Sequence, residues 1–448
     1  MHSFGSNLRR WEFWKELISF RSLVIVSPVF LLTVKHWTNL VVLVVFVGSL
    51  FFLLRKKDIA LQDTYEVKFW RWTISLTLIG PVLAVGMGQL LRGELYPPNF
   101  DASLRIALCT PIFLAISRGW LYRVGTEAIT FLWMKYSFPL ALIWTFIDRP
   151  SWTDKWPQQI TTYFVDPLSF GSLTLLFGLF SFASLSFFWY RISWLARLVL
   201  LLALVLGFYL SVKSGSRTGW LNLPVFIAIW FFGFALQTLG KLRSLLILFG
   251  FFLMAGVFIN SSPFFISKIL AGINEVSVYQ WNTRTTEGSA GIRLTFYRMA
   301  VFYFLHSPLQ GWGDLGWQTL ANSPEITQYA SEHAREFPEN GFHNEILTNS
   351  IRSGVWGLIS SVAFFFCPIL WSVRKLRQHT TLEESFLGFF ILFLMLHLFL
   401  AGMTTEVTNL VFLASFSGLS IAVMVGESLY SEREANAQAS VDLRSSAK

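Results

Sequence analysis

Long apolar runs alternate with short polar connectors along most of the chain, and a bilayer span needs about 20 predominantly apolar residues. About twelve stretches qualify, near residues 20–35, 38–54, 70–91, 102–118, 127–147, 166–189, 194–212, 220–238, 244–261, 353–371, 386–403 and 407–425. The pattern predicts an all-α membrane protein of about 12 transmembrane helices. One interval breaks the alternation: between the ninth and tenth spans the chain stays largely polar, which predicts a large loop. The chain divides accordingly into residues 1–262 with spans 1–9, a loop over 263–352 carrying short amphipathic helices, residues 353–425 with spans 10–12, and a polar tail over 426–448. The tail shows no periodicity and is expected to be disordered.

Charge placement orients these spans. Arg9, Arg10 and Lys15 precede the first span, Arg55, Lys56 and Lys57 follow the second, Arg118 and Arg123 follow the fourth, Lys241 and Arg243 follow the eighth, and Arg374, Lys375 and Arg377 follow the tenth. All fall on one side, and basic connectors mark the cytoplasmic side. Both termini are then expected inside and the long loop outside. The net charge of +9 is scattered over these connectors instead of forming a patch, so no nucleic-acid partner is expected. Many of the 19 tryptophans sit at the ends of apolar runs, where interfacial anchoring accounts for them. Cys109 and Cys367 both lie inside apolar runs, which argues against a disulfide framework or a metal knuckle. The first twenty residues show no small-residue cleavage site after a short apolar core, so no removable signal peptide is expected.

Candidate chemistry concentrates in three places. The short turn SVKSGSRTGWL carries Lys213 and Arg217 on the outer side, against the charge trend. Two cations there either snorkel to the interface or bind an anion, with Ser214, Gly215 and Ser216 small enough to bring backbone N–H groups to the same ligand. In RLTFYRMAVFYFLH, Arg293 begins an amphipathic segment expected to lie along the membrane surface. Arg298 follows five residues later, roughly 140° around a helix, so the two arginines cannot share a face. Periodicity alone does not choose between them. The third place is GFHNEILTNSIRSGVWG, where His343 follows a turn-prone run and precedes a helix start. A histidine there is either a hydrogen-bonded surface residue or a general base with a suitable pKa, with Asn344 and Glu345 placed to orient it. No metal or other cofactor is expected: His343 and Glu345 would diverge on a helix, His306 and His333 show no ligand spacing, and Asp314 has no partner acid. Without a metal, arginines would have to neutralise a phosphate, which their planar donors suit.

These segments resemble the O-antigen ligase family of polytopic membrane proteins, part of a broad superfamily with O-antigen polymerases. Residues 217–221 (RTGWL) match an Arg, three residues, Leu motif in a short periplasmic loop. Arg293 onward through HSPLQGWG looks like an arginine, an aromatic-rich helix, then a Pro-Leu and Gly-x-Gly turn. His343 to Gly357 fits His, then Asn, nine residues, Gly, two residues, Gly. VDPLSFGSLTLL adds a fainter likeness at the sixth span. The resemblance implies a fold similar to the C-type membrane glycosyltransferases, in a bacterial inner membrane with the active site on the periplasmic side. It implies glycan transfer from undecaprenyl diphosphate to a lipid A core sugar hydroxyl, with Arg217 and Arg293 on the diphosphate and His343 deprotonating the acceptor. Arg293, not Arg298, is the ligand-facing member of its pair in that picture. Trp312, Trp317 and Tyr329 are candidate sugar platforms, although anchoring is the commoner role of such residues. A repeat-unit polymerase would use the same donor with a lipid-linked glycan acceptor. A polytopic transporter is the reading from another class, and the spans show no convincing buried charge pair for it.

Overall fold

The computed structural model describes residues 19–55, 63–122, 126–148, 152–156, 159–216, 218–236, 239–261, 263–281, 288–336, 341–378 and 382–446. Helix α1 (Phe20–Val26) is capped by Ser19, whose side chain accepts the Ser22 N–H. It ends just before Pro28, which lacks an N–H and cannot continue a helix, and a run of turns leads to His36, where φ is +65°. The first expected span is therefore a short helix and turns, not a continuous crossing.

Then follow α2 (Trp37–Arg55), α3 (Tyr65–Arg92), α4 (Asp101–Ile116) with a 3-10 turn at Pro97–Phe100 before it, and α5, which crosses over Ile129–Ile147 with a π-helical turn at Trp133–Ser137. An antiparallel hairpin, β1 (Trp152–Trp156) and β2 (Gln159–Thr162), pairs Trp152 with Thr162 in a connector that carries no strand signal. Next come α6 (Pro167–Phe188), α7 (Trp194–Lys213), α8 (Asn222–Trp230) continued by a π turn at Phe231–Ala235, and α9 (Lys241–Ser261). The polar interval folds as α10 (Pro263–Ser277), α11 (Ser289–His306), α12 (Pro324–Thr327) and α13 (Glu332–Glu336). The chain ends with α14 (Glu345–Gln378), α15 (Leu382–Gly402) and α16 (Val411–Ser446). Among the described residues, nine helices are long and apolar enough to cross a membrane.

The enclosed helix is α6, with 89% of its apolar window buried inside the protein. Its start explains VDPLSFGS: Asp166 accepts the Ser169 N–H over 2.9 Å, and Pro167 occupies the first turn, where a missing N–H costs nothing. Along its length Gly178 meets Gly207 of α7, where a Cβ on Gly207 would stand 2.8 Å from the Gly178 Cα. Paired glycines let the two backbones touch, the usual way membrane helices gain contact area.

One end of the bundle is tied by ion pairs among α3, α14, α16 and the residues before α3. Arg374 and Lys375 each meet Glu432 at 2.8 Å, and Arg71 and Arg433 each meet Asp63 at 2.5 Å. These contacts hold Glu432 and Arg433 in α16, which runs on to Ser446 through residues expected to be a disordered tail. SEREANAQAS is rich in helix formers, and an anchored helix propagates through such a stretch.

At the opposite end, residues 288–351 build a second apolar core. Phe296, Met299, Ala300 and Tyr303 of α11 pack with Trp317, Ile326, Ala330 and Phe342. One face of α11 is interior to the protein, and Val301 and Leu305 of the same helix remain exposed.

Candidate active site

His343 stands at the edge of this second core. Gly341 (φ +109°) turns the chain in, Phe342 buries its ring 5.2 Å from Trp317, and the Phe342 N–H donates to Thr348 Oγ1 over 2.9 Å. His343 itself is left-handed, with φ +49°. A non-glycine residue held there stores on the order of 1 kcal/mol or more, and such strain concentrates at functional sites. The imidazole is half-buried and stacks on Phe296 at 5.9 Å, three residues beyond Arg293 in α11. Burial, and then the charge of Arg293, lower its pKa to about 4. The ring is neutral at physiological pH and able to accept a proton.

Asn344 accepts the Leu347 N–H over 3.1 Å and so caps α14, while its amide nitrogen reaches Met403 Sδ at 3.5 Å. Glu345, fully buried, accepts the Val407 N–H (2.5 Å), the Thr408 N–H (2.9 Å), the Thr408 hydroxyl and the Asn349 amide (2.6 Å). Glu345 thus anchors the connection between α15 and α16.

The spacing of the two glycines in α14 has a geometric cause. The helix breaks at Ser353 and Gly354, where Gly354 takes φ +61° and ψ −144°. Into this break docks the turn of HSPLQGWG: Trp312 N–H donates to the Ile351 carbonyl (2.7 Å), Gly313 N–H to Arg352 (3.1 Å), and Val355 N–H to Pro308 (2.7 Å). A Cβ on Gly354 would lie 2.5 Å from the Pro308 oxygen, and one on Gly357 would lie 1.8 Å from the Asn349 oxygen. The two motifs are one interlocked piece. Arg352 at the break pairs with Asp314 and donates to Asn409, and Arg92 from α3 donates to the carbonyls of Gln310 (2.6 Å) and Arg352 (2.9 Å).

Other expected residues take different places. Arg217 lies outside the described residues. The N–H groups of Ser214, Gly215 and Ser216, expected to face an anion, are bonded to Leu210, Val212 and the Ser214 hydroxyl, and the turn packs on Gly171. Lys213 is exposed at the end of α7. Arg298 lies over the Tyr329 ring at 3.7 Å and donates to the Trp281 carbonyl, on a different side of α11 from the His343 contact. Trp317 and Tyr329 are buried in the second core, and Trp312 donates its indole N–H to Tyr303, so core packing replaces the sugar-platform expectation for Trp317 and Tyr329. Among the described residues, no three His, Cys, Asp or Glu side chains are grouped to hold a metal ion.

Sequence reasoning passed over Arg92, Thr348, Arg352 and Glu406. For Glu406 a signal was there: TTEVTN is a polar run between two spans on the His343 side.

The chain is a multi-pass α-helical membrane protein in which His343 and Arg293 meet at the edge of a second apolar core. Residues 202–362, a stretch that holds Arg217, Arg293 and His343 through Gly357, match the family described as O-antigen ligase. A Haemophilus influenzae protein (strain Rd KW20), described as an uncharacterized protein, is 23% identical over 234 residues, covering 52% of this chain and 57% of that protein. The chain spans little more than half the length of that relative. The match likens residues 202–362 to O-antigen ligase/polymerase-type membrane enzymes.

Proposed function

We propose that the protein is an O-antigen ligase that transfers a glycan from undecaprenyl diphosphate to a lipid A core sugar hydroxyl at the periplasmic face of the bacterial inner membrane. The acceptor oxygen forms the new bond at the anomeric carbon as the bond to the diphosphate breaks, with inversion. The acceptor proton goes to a ring nitrogen of His343, and the electron pair leaves with undecaprenyl diphosphate. Arg293, with Arg217 by family likeness, neutralises that leaving group, so neither a general acid nor a metal ion is required.

The observation that carries this reading is the His343 imidazole packed on Phe296, one helical turn from Arg293 in the same helix, whose charge helps lower its pKa. In the donor-free site the imidazole is a weak base. A bound diphosphate offsets the arginine charge and raises the imidazole's basicity, so donor binding prepares the base for the acceptor. The basic residues Arg71, Arg374, Lys375 and Arg433 cluster at the end of the bundle away from His343, which supports a cytoplasmic assignment for that end.

The test is a reconstituted reaction with purified protein and undecaprenyl diphosphate bearing a short glycan, with and without lipid A core. Glycan on the core lipid supports ligation. Lengthening of lipid-linked chains without core acceptor makes the protein a polymerase, and no transfer of either kind refutes both.

A further inference from the structure

Residues 403–409, which connect α15 to α16, touch all three segments that carry the family likeness. Thr404 Oγ1 donates to Thr218 Oγ1 over 2.9 Å, beside Arg217 in sequence. Tyr297 of α11 donates its hydroxyl to the Met403 carbonyl over 2.5 Å. Val407 and Thr408 bind Glu345, as described above, and Asn409 accepts from Arg352. The family match ends at residue 362 and does not include this connection.

Within it, Glu406 is buried against the backbone that leads into His343. Its Oε1 accepts from Thr348 Oγ1 over 2.9 Å, and the same Thr348 oxygen accepts the Phe342 N–H over 2.9 Å. A Cβ on Gly341 would stand 1.5 Å from that Oε1, so the carboxyl lies directly on the Gly341 main chain. Its Oε2 faces the Asn409 amide at 3.4 Å. The charged groups acting on it come from α14: Glu345 and Arg352, the latter also paired with Asp314 from the docked turn. Phe342, the residue before His343, is therefore held by Thr348, and Gly341 before it lies against Glu406. A left-handed histidine persists only when its surroundings over-determine it.

We propose that Glu406 is a positioning residue for His343, whose carboxyl, acting through Thr348 and against Gly341, fixes the turn that aims the imidazole at the acceptor. The inference rests on His343 being the general base. Burial, and then the charge of Glu345, push the Glu406 carboxyl up to about 8, with Arg352, Thr348 and Asn409 opposing. Below that pH the carboxyl is largely neutral and sits stably beside Glu345. Above it, the ionised Glu406 carboxylate stands incompletely compensated in its buried site beside the Glu345 side chain and the turn loosens.

The experiment measures kcat and donor KM of the full chain in lipid from pH 6.5 to pH 9.5, for wild type, Glu406→Gln, Glu406→Ala, Thr348→Val and His343→Ala, with thermal unfolding of each. In wild type kcat is expected to fall about tenfold across the alkaline half of the range, while Glu406→Gln stays within about threefold of wild type at pH 7 and loses the alkaline fall. Glu406→Ala and Thr348→Val are expected to lose roughly tenfold or more in kcat with donor KM nearly unchanged. Wild-type kcat in Glu406→Ala, or an alkaline fall retained in Glu406→Gln, overturns the proposal. So does a loss in kcat that only tracks lost folding. Full turnover by His343→Ala would instead remove the base assignment itself, whatever the Glu406 variants do.

Discussion

The imidazole of His343 stacks on the ring of Phe296, with centroids 5.9 Å apart and planes 25° from parallel. Phe296 lies one helical turn beyond Arg293, so a single helix supplies both the apolar wall and the cation that act on the imidazole. Removing either changes the basicity of the same group.

The first prediction concerns pH. In donor-free protein His343 titrates near 4, well below an ordinary histidine, and Arg293→Ala or Phe296→Ala moves it upward by removing the charge or admitting water. An NMR titration of labelled histidine reads this directly. For the wild type, kcat/KM holds down to about pH 5 and falls as pH approaches 4, because that parameter reports the free enzyme. The linkage has the same sign. The folded-state value is depressed, so the contribution to stability is complete above the ordinary value of 6.5 and lost as pH falls through 4.

Arg293→Lys keeps the charge and loses the planar fork. If Arg293 grips diphosphate oxygens in pairs, the lysine variant loses about tenfold or more in kcat/KM for the donor, equivalent to ~1.4 kcal/mol. Steady-state kinetics with a truncated lipid-linked donor decides it. Wild-type kinetics in that variant would make Arg293 a structural charge.

Gly354→Ala and Gly357→Ala test the interlocked turn. Alanine at 354 must adopt φ +61° with its Cβ 2.5 Å from a carbonyl oxygen, and alanine at 357 would overlap the Asn349 carbonyl. Each is expected to cost about 2 kcal/mol or more, read as a lowered unfolding midpoint in detergent.

Arg352 and Asp314 are not equal partners. Asp314 is about a third exposed and regains water when its partner is removed, whereas Arg352 also serves Asn349 and Asn409. Arg352→Ala is expected to cost about 1–3 kcal/mol and Asp314→Asn less than about 1 kcal/mol, measured by the same unfolding assay.

Much of this fold is legible in the sequence because spans announce themselves by length and apolarity, and α2 to α7 and α14 to α16 fall close to their expected stretches. What misleads is local. Pro28 turns an apolar run into a short helix and turns, and the helix-forming run after Glu432 continues α16 because ion pairs hold it. Composition alone reports neither effect.

The candidate site is legible where chemistry and spacing coincide. His343 and Arg293 stand out as polar groups beside a membrane, and periodicity separates Arg293 from Arg298, which the structure lays over Tyr329. The glycines at 354 and 357 appear in the sequence as a spacing, and the reason for that spacing emerges only when residues 308–313 dock into the broken helix. Glu406 shows in the sequence only as an acid in the polar run TTEVTN, and its pairing with Thr348 joins residues 58 apart, which no local pattern records.

The most direct measurement is the single-turnover rate of glycan transfer by His343→Ala in lipid, with donor affinity measured on the same preparation. The account predicts donor affinity close to wild type and a transfer rate lower by a factor of about 10² to 10⁴, the usual worth of a positioned base. Transfer at the wild-type rate with donor bound would contradict it and leave the acceptor proton to another group.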